Sequence, residues 1–369
     1  MKPLALKTVL PYAGMIGVGG IGTGLFFALE GNATLGRNES RPGHLLDVRD
    51  YCKLHIISHY LAKLLGAGSP GSSFRVLPIG KVGADPAGRR LMDEMRDAGV
   101  DLTFVETVPD RPTLLSVCFQ YPDGSGGNIT TSESAASTLA VEEVDRALDP
   151  APMEGGGYVA LAVPEAPLAA RRRLLERATE QGAFRAGSFT TAEIAAARSS
   201  GMLGMLDLLS MNEDEAQLLS GMPLDPVDPL PLLRACEQAC AAQRGDVSLV
   251  VTAGKLGAFG YFRGKVDYCP AVEVAVESTA GAGDALLSGV IAGLIAGLPL
   301  IIPRSQRKRL QDRPLASALD FGVLVAGFSV TSPHTIHPDL TLDSVVAFAD
   351  SMGITLDGEL RSRFTGGSA

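Results

Sequence analysis

Ser278-Thr279-Ala280-Gly281-Ala282-Gly283-Asp284 runs directly into the apolar stretch 285–294. Small residues ahead of a helix let successive backbone N–H groups converge on an anion, where the unpaired amides and the helix dipole both favour negative charge. Asp284 stands where it would repel that anion unless it works as a base. A carboxylate beside a transferring phosphoryl group accepts the proton of an attacking hydroxyl. Gly281, Ala282 and Gly283 are therefore the candidate anion hole and Asp284 the candidate catalytic base, with Thr279 beside the phosphates. A glycine-rich helix start that serves packing alone is the plainer alternative.

Two earlier segments could complete such a site. Asn212, after the apolar run 202–209, opens a helical pattern with Glu215 three residues on. That spacing is a capping box, and Glu215 is also a carboxylate able to hold Mg2+ through water, since magnesium keeps much of its hydration shell. In Leu249-Val250-Val251-Thr252-Ala253-Gly254-Lys255-Leu256-Gly257 a buried-strand pattern ends in a turn. Thr252 can bond a phosphate or its water, and Gly254 and Gly257 can let the backbone approach a nucleotide; an ordinary strand-turn connection reads the same way.

Taken in this order, the three segments resemble the motifs of the PfkB/ribokinase family of carbohydrate kinases: N-x-x-E, V-T-x-G-x-x-G and D-T-x-G-A-G-D. Gly80-Lys81-Val82-Gly83-Ala84-Asp85-Pro86-Ala87-Gly88, followed by a helix closing on Gly99-Val100-Asp101, is similar to a further family turn. The resemblance covers roughly residues 74–342. It implies ATP and Mg2+ as cofactors, Glu215 orienting the metal through water, Asn212, Thr252, Gly254, Gly257 and Thr279 at the nucleotide, and a sugar or polyol as acceptor. It also implies that a lid-mediated homodimer is open to this chain. Ser278 departs from the pattern, whose leading Asp contributes to a monovalent-cation site. The first family signature, a Gly-Gly pair with Asn before a helix, is not recognisable; Tyr51-Cys52-Lys53-Leu54-His55-Ile56 stands there, and Thr23-Gly24 replace a substrate-binding Asp.

The elements that must position these residues follow from periodicity. Strand-like runs at 105–120 and 247–252 alternate with helical spacing at 57–66, 87–98, 169–181, 230–243 and 315–328. Such alternation predicts an α/β fold with a parallel sheet covered on both faces. The resemblance makes this a ribokinase-like three-layer sandwich with a mostly parallel central sheet and a small β lid. The expected organisation is one domain over 1–355, its lid built from parts of 23–50 and 111–131, and a tail at 356–369. Tyr121-Pro122-Asp123-Gly124 is the expected hairpin turn of that lid.

Composition narrows the partners. A net charge of −9 disfavours nucleic acid or an anionic membrane, which need a basic face. The five cysteines, an odd and scattered set, read as reduced thiols of a cytoplasmic protein, and Cys236 with Cys240 at i, i+4 reads as packing rather than a zinc site. The uncharged run 8–29 holds six glycines and Pro11, too broken for a spanning helix, and 285–303 reads as a buried central helix. The arginines and lysine at 304, 307, 308, 309 and 313 read as a solvated face or a screen for phosphates. His334 and His337 follow a helix that walls adenine in the family, and either could stack on a base.

Gly17-Val18-Gly19-Gly20-Ile21-Gly22 contains G-x-G-x-x-G, a dinucleotide fingerprint if a helix follows and an acidic strand end lies about 20 residues on. The expected activity is transfer of the γ-phosphate of ATP to a sugar-like hydroxyl. The alternatives are a non-catalytic ATP- or sugar-binding relative and an NAD-dependent oxidoreductase using Gly17 to Gly22.

Overall fold

The computed structural model describes residues 12–123, 126–149, 157–240, 247–303 and 307–365. The first eleven residues, Gly124 of the expected turn, residues 241–243 of the expected helix, Arg304 and the last four residues lie outside them. Thirteen strands occur among the described residues: β1 (Tyr12–Val18), β2 (Gly22–Leu29), β3 (Gly43–Tyr51), β4 (Arg75–Gly83), β5 (Val105–Val108), β6 (Leu114–Gln120), β7 (Gly126–Thr130), β8 (Gly157–Ala162), β9 (Phe184–Gly187), β10 (Leu208–Asn212), β11 (Ser248–Thr252), β12 (Gly257–Phe262) and β13 (Lys265–Pro270).

Nine of them form one sheet in the order β13-β12-β11-β10-β9-β8-β1-β4-β5, parallel from β5 to β11 and antiparallel over β11-β12-β13. Parallel strands buried on both faces need apolar residues at successive positions, and period two sends them to opposite layers. Met15 of β1 joins a core under the helices Lys53–Leu65, Ala282–Ile295 and Ala318–Ser329, while Ile16 and Val18 join another under Leu168–Glu180. Val250 of β11 repeats the first choice, and Leu249 and Val251 point to a third cluster on the other side. The result is an α/β fold of three layers.

The helix Ala282–Ile295 is apolar nearly all round because it is buried between this sheet and Ala318–Ser329. Among the described residues no helix is long and apolar enough to cross a membrane.

The second sheet has the order β3-β2-β6-β7. Its register places Leu25, Leu45, Val117 and Ile129 on one face and Gly24, Phe26, Leu46, Ser116, Cys118, Asn128 and Thr130 on the other. The first face carries exposed apolar residues: Leu25, Leu45 and Ile129 are 42%, 60% and 70% exposed.

Three expectations change. The run 105–120 is two strands in two sheets; Pro109 and Pro112 cannot donate to a ladder, and the chain breaks between them. Residues 356–365 include the helix Gly358–Thr365, with Phe364 stacked on Phe321 at 4.5 Å between ring centroids. The Gly17 to Gly22 run leads from β1 into β2 of the second sheet rather than into a helix. It offers no helix N-terminus to a pyrophosphate, so the oxidoreductase reading fails. Its glycines answer a different need: a Cβ at Gly20 would lie 2.4 Å from Cβ of Glu165.

Candidate active site

The carboxyl ends of β8, β9, β10 and β11 open on one cleft, next to β1 where the winding of the sheet reverses, the place where open α/β sheets bind ligands. Gly281 takes φ +76°, a left-handed turn that a Cβ would bring to 2.9 Å from the Thr335 carbonyl, and the helix begins at Ala282. The Ala282 amide closes this turn on the Thr279 carbonyl at 3.2 Å, so it is engaged within the chain. Those of Gly283 and Asp284 have no backbone partner among the described residues. Space over Gly283 is open, with nothing within 4 Å of a Cβ placed there. The amides left to meet an anion are thus those of Gly283 and Asp284, with Gly281 and Ala282 shaping the turn.

Asp284 is buried, and Lys53 Nζ lies 3.1 Å from its Oδ1 and 3.3 Å from its Oδ2. Lys53 opens the helix Lys53–Leu65, and its amide donates to Glu165 Oε2 at 3.0 Å. The Asp284 charge, with Glu165 and Glu215 behind it, holds the Lys53 ammonium above its ordinary range against the desolvation that lowers it. Burial pushes the Glu165 and Glu215 carboxyls up. Three acids facing one ammonium leave the crevice electron-rich, the setting in which a divalent cation is favoured.

Glu215 and Asn212 form the expected capping box: Asn212 Oδ1 accepts from the Glu215 amide and Glu215 Oε2 from the Asn212 amide, each at 2.8 Å. The cap and the site are the same residues, for Asn212, Glu215, Thr252, Gly283, Asp284 and Lys53 line one small cleft. Because the cap engages Oε2, Oε1 is the oxygen left for a metal-bound water. Adjoining this cleft is a cavity of about 940 Å³. Asn212, Thr252, Gly254, Gly257, Thr279 and Gly283 line it together with the apolar Val272, Val276, Val323, Ala326 and Val330 and the charged Glu213, Asp214, Lys255 and Glu273. A cavity of this size with both polar groups and apolar surface suits a nucleoside polyphosphate. Gly257 has a further reason to be glycine: at φ +111° a Cβ would strike the Cys269 carbonyl at 2.1 Å.

His334 and His337 are not among the residues lining that cavity. His334 Nδ1 accepts from the Arg49 amide at 3.0 Å, and His337 stacks on Phe328. The basic segment is neither a solvated face nor a phosphate screen as far as Arg307 and Arg313 are concerned: Arg307 is buried against Asp320, and Arg313 holds Asp267 at 2.9 Å.

The pfkB family carbohydrate kinase model matches residues 57–342. The chain belongs to the pfkB family of carbohydrate kinases. Among proteins of the same kind it is 27% identical over 312 residues to the 2-dehydro-3-deoxygluconokinase of Thermoproteus tenax, covering 80% of this chain and 88% of that one. It is 27% identical over 263 residues to the deoxyribokinase of Salmonella typhi, covering 71% and 77%. The ribokinase of Cryptococcus neoformans var. grubii serotype A, solved in complex with ADP, superposes with a TM-score of 0.67 at 21% identity, over 91% of this chain and 99% of that one. The fold of this pfkB kinase is therefore ribokinase-like. Its family match starts inside the helix Lys53–Leu65, just after the stretch where the first signature is absent.

Glu165 escaped the sequence reading. It follows β8 through Pro164 and holds a positive φ of 72°, rare for a non-glycine residue. An acid placed directly after the apolar run 157–163 was the signal that could have found it.

Proposed function

We propose that the protein transfers the γ-phosphoryl group of ATP, as its magnesium complex, to a hydroxyl of a sugar or sugar-like small molecule. The observation that carries this reading is Asp284 with its carboxylate beside Lys53 and its own amide, with that of Gly283, at the start of a helix between the small cleft and the large cavity. The nucleotide occupies the cavity, its base against Val272, Val323 and Val330 and its phosphates toward Thr252, Thr279 and Gly283.

Asp284 takes the proton of the acceptor hydroxyl as the oxygen attacks the γ-phosphorus in line, and ADP leaves. The amides of Gly283 and Asp284 and the Lys53 ammonium face the charge that spreads over the transferring phosphoryl oxygens. Glu215 would hold Mg2+ through water, and the ion would offset the charge of the phosphates. The second sheet acts as a lid whose closure excludes water, since an open site hydrolyses ATP wastefully. Its exposed apolar face, with Leu25, Leu45 and Ile129, is covered by a second copy of the chain. The five free thiols fit a reducing cytoplasm.

The test is ADP release from Mg-ATP across pentoses, hexoses, polyols, nucleosides and sugar phosphates, for wild type and Asp284→Asn. Acceptor-dependent release that the variant loses supports the reading. ATP binding without turnover on any acceptor favours a non-catalytic relative, and absence of ATP binding ends the proposal.

A further inference from the structure

We infer that Thr335 is a positioning residue for the proposed transfer: it fixes the strand that delivers Lys53 against the turn that presents the Gly283 and Asp284 amides. The inference rests on the kinase reading and adds to it the part that keeps acceptor and γ-phosphate in register.

β3 is an edge strand, so the backbone groups on its outer side have no ladder partner. At its carboxyl end the segment 334–335 takes them up. The Arg49 amide donates to His334 Nδ1 at 3.0 Å, the Thr335 amide to the Arg49 carbonyl at 3.1 Å, and the Tyr51 amide to Thr335 Oγ1 at 3.1 Å. The Thr335 hydroxyl in turn donates to the Arg49 carbonyl at 3.4 Å. One hydroxyl thus holds the strand end twice, accepting at residue 51 and donating at residue 49, which serine can imitate and valine cannot.

The main chain of Thr335 faces the phosphate turn. A Cβ at Gly281 would lie 2.9 Å from the Thr335 carbonyl oxygen and 3.0 Å from Thr335 Cβ, so Thr335 fills the space that glycine leaves there. Between strand and turn it is only 2% exposed. Among the described residues no hydrogen bond joins 43–65 directly to 278–283, so the link between the two segments runs through Thr335. Two residues beyond Tyr51, Lys53 lines the small cleft, and just beyond Gly281 so do Gly283 and Asp284. Thr335 lines neither that cleft nor the large cavity and acts through these neighbours. Helix packing aims the Asp284 carboxylate, but the Gly281 turn precedes the helix at a non-helical φ of +76° and needs support of its own. A misplacement of about 1 Å between reacting groups costs on the order of 10²-fold in rate.

The experiment compares wild type with Thr335→Val and Thr335→Ala, which remove the hydroxyl, and Thr335→Ser, which keeps it, at equal concentrations of folded protein. It measures kcat, both KM values and the ratio of ADP released to acceptor phosphorylated. The variants without the hydroxyl should lose about 10- to 100-fold in kcat and keep KM for ATP within about threefold. Their ratio should rise above one, because water then receives the phosphoryl group of bound ATP, as inorganic phosphate, in place of a misaligned acceptor. Thr335→Ser should recover most of the loss in kcat and return the ratio to one. A merely structural Thr335 would lower the yield of folded protein and leave the ratio at one. That result, or wild-type kcat without the hydroxyl, overturns the inference while the kinase stands; a wild type that phosphorylates no acceptor overturns both.

Discussion

Lys53 Nζ sits between the two carboxylate oxygens of Asp284, at 3.1 and 3.3 Å, although 231 residues separate them in the chain. The pair joins the start of one buried helix to the start of another, so the Asp284 carboxylate is aimed by the packing of those helices rather than by a loop. In the proposed mechanism an acceptor hydroxyl arriving at Asp284 meets the ammonium as well, so the proposed proton acceptor and the proposed counter-charge of the phosphoryl group are neighbours.

Removing either member should therefore disable the same step. Asp284→Asn is expected to lower turnover by roughly 10² to 10⁴ with ATP binding kept, the usual weight of a positioned base. Lys53→Met should lower it by about 10 to 10³. The double variant should be little worse than Asp284→Asn, because groups acting as a unit are not additive. Steady-state rates of ADP release for the four proteins decide this; losses that simply multiply would mean that the two side chains act separately.

Glu215→Gln separates the metal role from the helix cap. Glutamine keeps an acceptor for the Asn212 amide, so the capping box survives and the melting temperature should stay close to wild type. The charge for a hydrated Mg2+ is lost. The Mg2+ concentration giving half-maximal rate should rise at least about 10-fold, the scale on which metal affinity falls when a supporting group is removed. A magnesium titration at saturating ATP checks it, and an unchanged midpoint would leave Glu215 as a cap alone.

Legibility in the sequence followed how local each signal was. Gly281 to Asp284, Asn212 with Glu215, and Thr252 with Gly254 each lie within one turn of chain, where spacing alone fixes geometry, and all of them except Gly281 line one connected crevice. The parallel sheet was readable from the alternation of strand-like and helical runs, β11 among them, which is buried on both faces at Leu249, Val250 and Val251. What stayed hidden depends on contacts across the chain. Lys53 meets Asp284 only through the packing of two helices. Glu165 is made special by a positive φ and by the space that Gly20 leaves it. The Gly17 to Gly22 fingerprint misled because glycine's lack of a side chain serves close packing as readily as phosphate binding.

Two glycines of the site should fail in opposite ways. Gly283 lies in the first turn of its helix under open space, so Gly283→Leu should leave melting unchanged or raise it slightly, leucine being the better helix former. Its side chain would cover the free amides, and kcat/KM for ATP should drop by at least about 10-fold. Gly257 has a left-handed φ of +111° and the Cys269 carbonyl where a Cβ would go. Gly257→Ala should cost about 1–3 kcal/mol or more of stability, read from denaturant melts. A stable, active Gly257→Ala would remove the packing argument.

Stability should also fall as the pH is lowered, through two histidines that the proposed mechanism does not use. His55 and His59 lie on the helix Lys53–Leu65, stacked on one another, with Tyr51 tilted against His55. Burial pushes His59 down to about 4 and His55 well below its ordinary range, so both are uncharged in the fold at neutral pH. The unfolded chain protonates them near pH 6.5. Between those limits the unfolded state binds more protons than the native one, so stability rises with pH across this window and is lost as pH falls from about 6.5 toward 4. The His59 share is worth roughly 3 kcal/mol by the bottom of the window. Urea melts at pH 7.5, 6.0 and 5.0 should show the decline, and His59→Phe, which keeps a ring in the stack and cannot be protonated, should flatten it. Equal slopes in variant and wild type would mean that His59 takes up its proton in the fold as readily as in the open chain.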